Sequence, residues 1–301
     1  MIAFLRRGRA ASSVAVVVGL VGALCCWAMP TAQAFAIQNH ESITRAALPP
    51  DQVNQLGLAQ ILNGPPPGGG AMGSDAFALD DWRHIDNARS PADVCAKARR
   101  AWDTLSPVIL SGSLPAGPGA TVLVNGPAAR AAFGGLLHAL QDFYAHSNWV
   151  EENIAAGQPN RLAPALFPSC NPGAFPAGLH TGYFNLLFFN QFPFDGCPPG
   201  GPPPGFQECH SALNKDGPDT ARGKQTVPGT GMTMYSLAKS LATTASTDLY
   251  KQVRSLVVST VTAKYPGVNG ECVVTKLFRP DLFGPCAPFS IPLPPAPAPP
   301  R

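Results

Sequence analysis

The chain has 301 residues, of which 34 are Pro and 30 are Gly, yet 45% are hydrophobic and only 13% are charged. That apolar content, with sixteen Phe, excludes an intrinsically disordered chain, which lacks the apolar surface to offset its conformational entropy. The formal net charge is +3, and the first nine residues hold that excess at Arg6, Arg7 and Arg9. The remainder balances to zero, which disfavours an electrostatic DNA-binding role.

In chain order, the three arginines precede an apolar run from Val14 to Trp27, then Pro30 and Ala32-Gln33-Ala34. A basic start, a short apolar stretch and small residues at the end predict a signal peptide over 1–34, cleaved after Ala34. The run is short of the ~20 residues a membrane span requires. A secreted or periplasmic protein with no transmembrane segment in the mature chain is therefore expected. Beyond the leader lie Cys95, Cys170, Cys197, Cys209, Cys272 and Cys286. An even count in an exported chain implies up to three disulfides, with the pairing open. Cys197 and Cys209 bracket the Pro/Gly segment 198–205 and could staple it.

A first helix is predicted over His40 to Ala47. Breakers at Gly64–Gly70 separate it from a helix that Ser90-Pro91 starts and that reaches its last apolar positions near Ile109. After a second break at Ala116–Gly119, Pro127 opens a helix from Ala128 to about Ile154, with Phe133, Leu136, Leu137, Leu140 and Phe143 as its apolar positions. Beyond Pro198–Gly205, the stretch from about Met232 to Val261 predicts one long or broken helix. Strand signals are scarce. The expected architecture is all-α with long Pro/Gly-rich loops: a helical metal-binding domain over 35–263, an extension over 264–287 that a disulfide could tie, and a Pro-rich tail over 288–301.

The chain has six histidines: His40, His84, His138, His146, His180 and His210. On a helix, His138, Asp142 and His146 recur every fourth residue and share one face. Leu136, Leu137, Leu140 and Phe143 surround them, so the stripe is expected to be buried. Three buried titratable groups without a partner are costly. Two imidazoles and a carboxylate on one stripe suit a metal that takes N and O ligands.

The segment His138-Ala-Leu-Gln-Asp142-Phe-Tyr-Ala-His146-Ser-Asn-Trp-Val-Glu151 resembles the H-x₃-D-[FL]-x₂-H-[SA]-N helix of the HET-C-like branch of the zinc-dependent phospholipase C and single-strand nuclease superfamily. Three further elements are similar to that group. Asp81-Trp82-Arg83-His84-Ile85-Asp86-Asn87 looks like its H-[FI]-D-N element. Cleavage after Ala34 would start the mature chain at Phe35, with His40 shortly after. Cys209-His210-Ser211-Ala212-Leu213-Asn214-Lys215-Asp216 resembles an H-x₂-[IL]-N-K-D motif. The resemblance spans roughly residues 35 to 260.

This resemblance implies a helical bundle of the zinc-dependent phospholipase C type around up to three Zn²⁺ ions. His84, His138 and Asp142 would hold the first with a further Asp, and local spacing favours Asp81 or Asp80 over Asp75. Asp142 would bridge to a second ion held by the Phe35 terminus and His40. His146 would begin a third site, completed by a downstream His and a carboxylate, with His210 as the candidate. Asp142 and His84 would stand at the reacting centre. Two departures are visible. Five residues usually separate the Asp from the second His in the phospholipase and nuclease branches, against three here. His210 is followed at four residues by Asn214, which leaves Asp216 as the nearest carboxylate. His180 fits either loop packing or the site, and Glu151 could support a ligand. The implied function is an exported zinc-dependent phosphodiester hydrolase, its phosphoester substrate a phospholipid rather than a nucleic acid. The alternative is a non-catalytic HET-C-like secreted protein whose metal is structural.

Overall fold

Apolar residues at helical spacing, punctuated by breakers and caps, set the elements. The computed structural model describes residues 37–286, apart from 67, 78–79, 118–121, 186, 188–196, 283 and 285. The expected signal peptide, Phe35 and the Pro-rich tail lie outside the described residues. The helices are α1 (Ile37–Ala47), α2 (Gln55–Asn63), α3 (Asp81–His84), α4 (Pro91–Gly112), α5 (Gly126–His146), α6 (Trp149–Ala155), α7 (His210–Leu213), α8 (Met234–Lys264) and α9 (Gly270–Phe278). Among the described residues, two 3₁₀ turns, Gly73–Phe77 and Pro172–Ala174, lie between them. The described residues form isolated bridges but no named strand, so the fold is all-α. All of them belong to one unit, Gln33–Arg301.

Local chemistry explains the starts. Ser90 accepts the Asp93 N–H ahead of Pro91, and Asn125 accepts that of Ala128 ahead of Pro127. Thr233 and Asn269 cap α8 and α9 in the same way. Each such cap stabilises by about 1 kcal/mol, and a proline in the first turn forfeits no helical hydrogen bond.

α5 is the axis of the molecule. Every residue from Ala129 to His146 is buried, as expected of a helix enclosed on all sides. α2, α4 and α8 pack around it. Gly134 permits the closest of these approaches, since a Cβ there would lie 1.9 Å from the Ile61 carbonyl oxygen on α2. Phe133 of α5, Tyr250 of α8 and Phe278 of α9 meet ring to ring at 4.9–6.3 Å.

Two elements differ from the sequence expectation. The helix expected to run to Ile154 ends at His146, where Ser147 turns extended at φ −93° and ψ 161°. The Ser147 hydroxyl folds back onto the Phe143 carbonyl and also accepts the Trp149 N–H, a local competitor to helical bonding. Packing also continues past Ala263. α9 buries Val273, Val274, Leu277 and Phe278 in the common core, so the stretch 264–278 is part of the folded body. Disulfides join Cys95–Cys170, Cys197–Cys209 and Cys272–Cys286. The second is the loop staple anticipated above.

Candidate metal centre

α5 supplies three consecutive turns of polar side chain inside an apolar core: His138, Asp142 and His146, each 0% exposed. α1 brings His40 onto Asp142, with His40 Nε2 at 3.2 Å from Asp142 Oδ1. The one-turn helix α3 brings His84, whose Nδ1 lies 2.9 Å from Asp142 Oδ2. His138 Nε2 lies 3.0 Å from that same oxygen and 3.0 Å from His84 Nδ1. Asp75, from the 3₁₀ turn, approaches His138 Nε2 at 3.9 Å.

The surrounding hydrogen bonds fix which nitrogens face inward. His138 Nδ1 donates to the Ala71 carbonyl at 2.8 Å, which leaves a lone pair on its Nε2. His40 Nδ1 donates to Gln141 Oε1 at 2.8 Å. The Gln141 amide donates in turn to the Thr44 and Ser246 hydroxyls, which holds its oxygen toward His40. Such outer contacts set tautomer and ring orientation at metal sites. Lone pairs of two imidazoles turned onto the two oxygens of one carboxylate repel it unless a cation or protons sit between them. Atoms sharing a tetrahedral Zn²⁺ at ~2.0–2.2 Å stand roughly 3.3–3.6 Å apart, close to the spacings seen. Asp142 Oδ1, His84 Nε2 and Asp75 Oδ2 are also buried with no hydrogen-bond partner among the described residues. These residues fit a metal.

A second group lies one turn further along α5. His146 Nε2 is 2.9 Å from Asp216 Oδ1, and His146 Nδ1 is 3.2 Å from Asp86 Oδ1. His210 stacks edge-on to His146 with ring centres 4.1 Å apart, and its Nε2 reaches Asp86 Oδ2 at 4.0 Å. Asp86, His146 and His210 are spaced to hold an ion of their own. Asn214 is no ligand; its Oδ1 accepts the Asp216 N–H at 2.9 Å, a turn that aims Asp216 inward.

Electrostatics follow from burial and proximity. Burial opposes ionisation of Asp142, but His138, His146 and His40 around it hold the carboxyl well below its usual range. Burial disfavours the charged His40 ring, yet the facing Asp142 outweighs it and raises the pKa to about 9. Burial takes His138 down to about 4 and Asp75 up to about 7. His146 is pushed well above its ordinary value, because Asp216 and Asp86 overcome its desolvation. Without a metal, protons would take its place between these carboxylates and imidazoles.

Local spacing misassigned the extra Asp. Asp81 faces Lys97 and Asp80 pairs with Arg83 at 3.0 Å, both at the solvent edge of α3. Asp75 is the carboxylate that reaches His138. His180 belongs to neither group: its Nδ1 donates to the Gly178 carbonyl and its Nε2 meets Glu208 at 3.1 Å. Asp86 carries a signal that sequence reasoning underused, since it sits two residues after His84 in the H-x-D-N element. Its neighbours Ile85 and Asn87 adopt positive φ, 51° and 59°, which is costly for a β-branched residue such as Ile85.

No curated protein and no solved structure shows a significant match to the chain. Residues 122–165 match the family model of the VWA7 N-terminal domain. That segment spans α5 and α6, so the chain is similar to that domain over the helix that supplies His138, Asp142 and His146.

Proposed function

We propose that this protein is a zinc-dependent hydrolase of phosphate esters built on a carboxylate-bridged metal centre. The observation that carries the reading is the division of Asp142: Oδ2 faces His84 and His138, while Oδ1 faces His40. A carboxylate shared in this way is what two neighbouring ions require. Asp75, His84, His138 and Asp142 Oδ2 would hold one ion, and His40 with Asp142 Oδ1 a second, to which the resemblance adds the Phe35 terminus. Asp86, His146 and His210 would hold a third, with Asp216 on the other ring nitrogen of His146 orienting that ligand. Bound zinc ions supply Lewis-acid polarisation of a phosphoryl oxygen and a water acidic enough to ionise near neutral pH.

The chain's own residues fix the ligands and exclude bulk water. The least buried of them, Asp75 and His210, followed by His84 and Asp86, mark the edge at which a phosphoryl group would approach. The balanced charge of the mature chain favours a phospholipid over a polynucleotide. Three disulfides fit an extracellular setting, and no described helix is long and apolar enough to cross a membrane.

One observation favours a second reading, a purely structural metal: His40, His138, Asp142 and His146 are wholly buried. Elemental analysis of the secreted protein, followed by a panel of phosphodiester substrates with and without chelator, separates the two. Zinc with chelator-sensitive hydrolysis supports the enzyme. Zinc without turnover on any substrate supports the structural role. Absence of zinc after reloading sinks both.

A further inference from the structure

We propose that the short segment Thr181–Phe184 positions the Asp86–His146–His210 group, and that Gly182 is the residue on which that geometry depends. The proposal rests on the metal-binding reading above.

Two of the three residues sit at helix ends, where backbone groups lack intrahelical partners. His146 is the last residue of α5, and its carbonyl accepts the Gly182 N–H at 3.0 Å. His210 is the first residue of α7, and its N–H donates to the Tyr183 carbonyl at 2.9 Å. The third residue, Asp86, lies between the two positive-φ positions, and this turn is clamped to the same segment. The Asn87 N–H donates to the Gly182 carbonyl at 3.1 Å. The Asn87 side chain pairs with both backbone groups of Phe184, at 2.8 and 2.9 Å. Thr181 holds the next residue, Ala88, through its N–H at 2.8 Å and its hydroxyl at 2.9 Å. One strap of four residues thus gathers three ligand segments that are distant in sequence. Among the described residues its hydrogen bonds reach none of Asp75, His138 and Asp142.

Gly182 is where the strap passes closest. A Cβ there would lie 2.4 Å from His210 Cα, 2.9 Å from His210 N and 3.2 Å from the Cys209 carbonyl oxygen. All three are backbone atoms, and Cys209 is tied to Cys197 by a disulfide, so no side chain can rotate out of the way. Ordinary carbon contacts begin near ~3.5 Å. An alanine would therefore drive the strap and His210 apart by roughly 1 Å, beyond the ~0.5 Å tolerance of a working site.

The test uses the full secreted protein, loaded with zinc, desalted and analysed for metal content, with cobalt substitution read by its visible absorption. Gly182→Ala should lose one equivalent of zinc relative to wild type and one component of the cobalt spectrum, while the rest is retained. Asp86→Asn should lose the same equivalent, and the double variant should lose no more. Wild-type zinc content and cobalt spectrum in Gly182→Ala would overturn the proposal, as would loss of all metal from a folded variant. Should Gly182→Ala fail to fold, Asn87→Gly decides: it suits the positive φ but removes the side-chain clamp. Asn87→Gly should weaken the zinc equivalent that Asp86→Asn removes by about tenfold to a hundredfold, the range for lost outer contacts, and an unchanged affinity would refute the proposal. A wild-type protein that takes up no zinc at all would instead remove the metal reading on which this stands.

Discussion

Asp142→Asn is the substitution with the largest expected consequence, because two sets of nitrogens share one side chain. His84 Nδ1 and His138 Nε2 lie 2.9 and 3.0 Å from Oδ2, and His40 Nε2 lies 3.2 Å from Oδ1. An amide keeps one oxygen and turns an NH₂ toward the other set, so it can serve one ion at most, and without the negative charge that offsets a dication. Zinc held at a free concentration about 100-fold above its dissociation constant stabilises the fold by about 2.7 kcal/mol per site. Two dependent sites would give roughly 5 kcal/mol. For a body of this size about 1 kcal/mol moves the melting temperature by ~2–4 °C, so these two sites should contribute roughly 10–20 °C of the rise that zinc gives the wild-type protein over its chelated form. In Asp142→Asn that contribution should fall to half or less. Thermal melts with disulfides intact, in zinc and in chelator, measure this directly. A variant that keeps the full zinc-dependent rise would refute the bridging argument.

Asp75→Asn should weaken zinc binding, whereas Asp81→Asn should leave it unchanged, since a solvent-edge pair with Lys97 contributes no more than ~1 kcal/mol; equal effects in a zinc titration would contradict the assignment of Asp75. Zinc loading at pH 7 should release protons. Asp142 holds the His40 pKa to about 9 and the Asp86 and Asp216 carboxylates hold His146 protonated, while burial keeps His138, at about 4, already neutral. Zinc affinity should accordingly fall as pH drops below about 9, and calorimetry that gives the same enthalpy in buffers of different ionisation heat would disprove this linkage. Lys215 is buried, donating to Glu151 and to the Ser147 and Leu213 carbonyls. Lys215→Met removes this donor from both carbonyls and leaves Glu151 with Arg222 alone among the described residues, at 3.6 Å, and should cost about 3 kcal/mol in denaturant unfolding; a loss under 1 kcal/mol would show that the ion pair does not hold the end of α5.

The sequence revealed those parts of the site that depend on local periodicity. His138, Asp142 and His146 repeat every fourth residue among leucines, and that spacing alone places them on one buried stripe. His84 and His210 were legible only through motif likeness, because each reaches α5 from a separate one-turn helix. Asp75 was not legible: Asp80 and Asp81 lie nearer to His84 in sequence, and only tertiary packing shows that Lys97 and Arg83 draw them to solvent. The end of α5 at His146 was hidden for a related reason, since Ala145 to Ile154 carries no proline or glycine. The break comes from the Ser147 hydroxyl and from the Lys215 ammonium on the Ser147 carbonyl, a contact that spans 68 residues. α9 was missed because its nine residues lie between the breakers Pro266-Gly267 and Pro280, although Val273, Val274, Leu277 and Phe278 have helical spacing and pack against α5 and α8.

The measurement that bears most directly on the bridged centre is anomalous diffraction at the zinc edge from crystals of the zinc-loaded protein. The account predicts separate zinc peaks on the two sides of Asp142, each about 2.0–2.2 Å from its own carboxylate oxygen, one shared with His84 and His138 and the other with His40. A single peak, or none, with Asp142 hydrogen-bonded to protonated imidazoles, would contradict it.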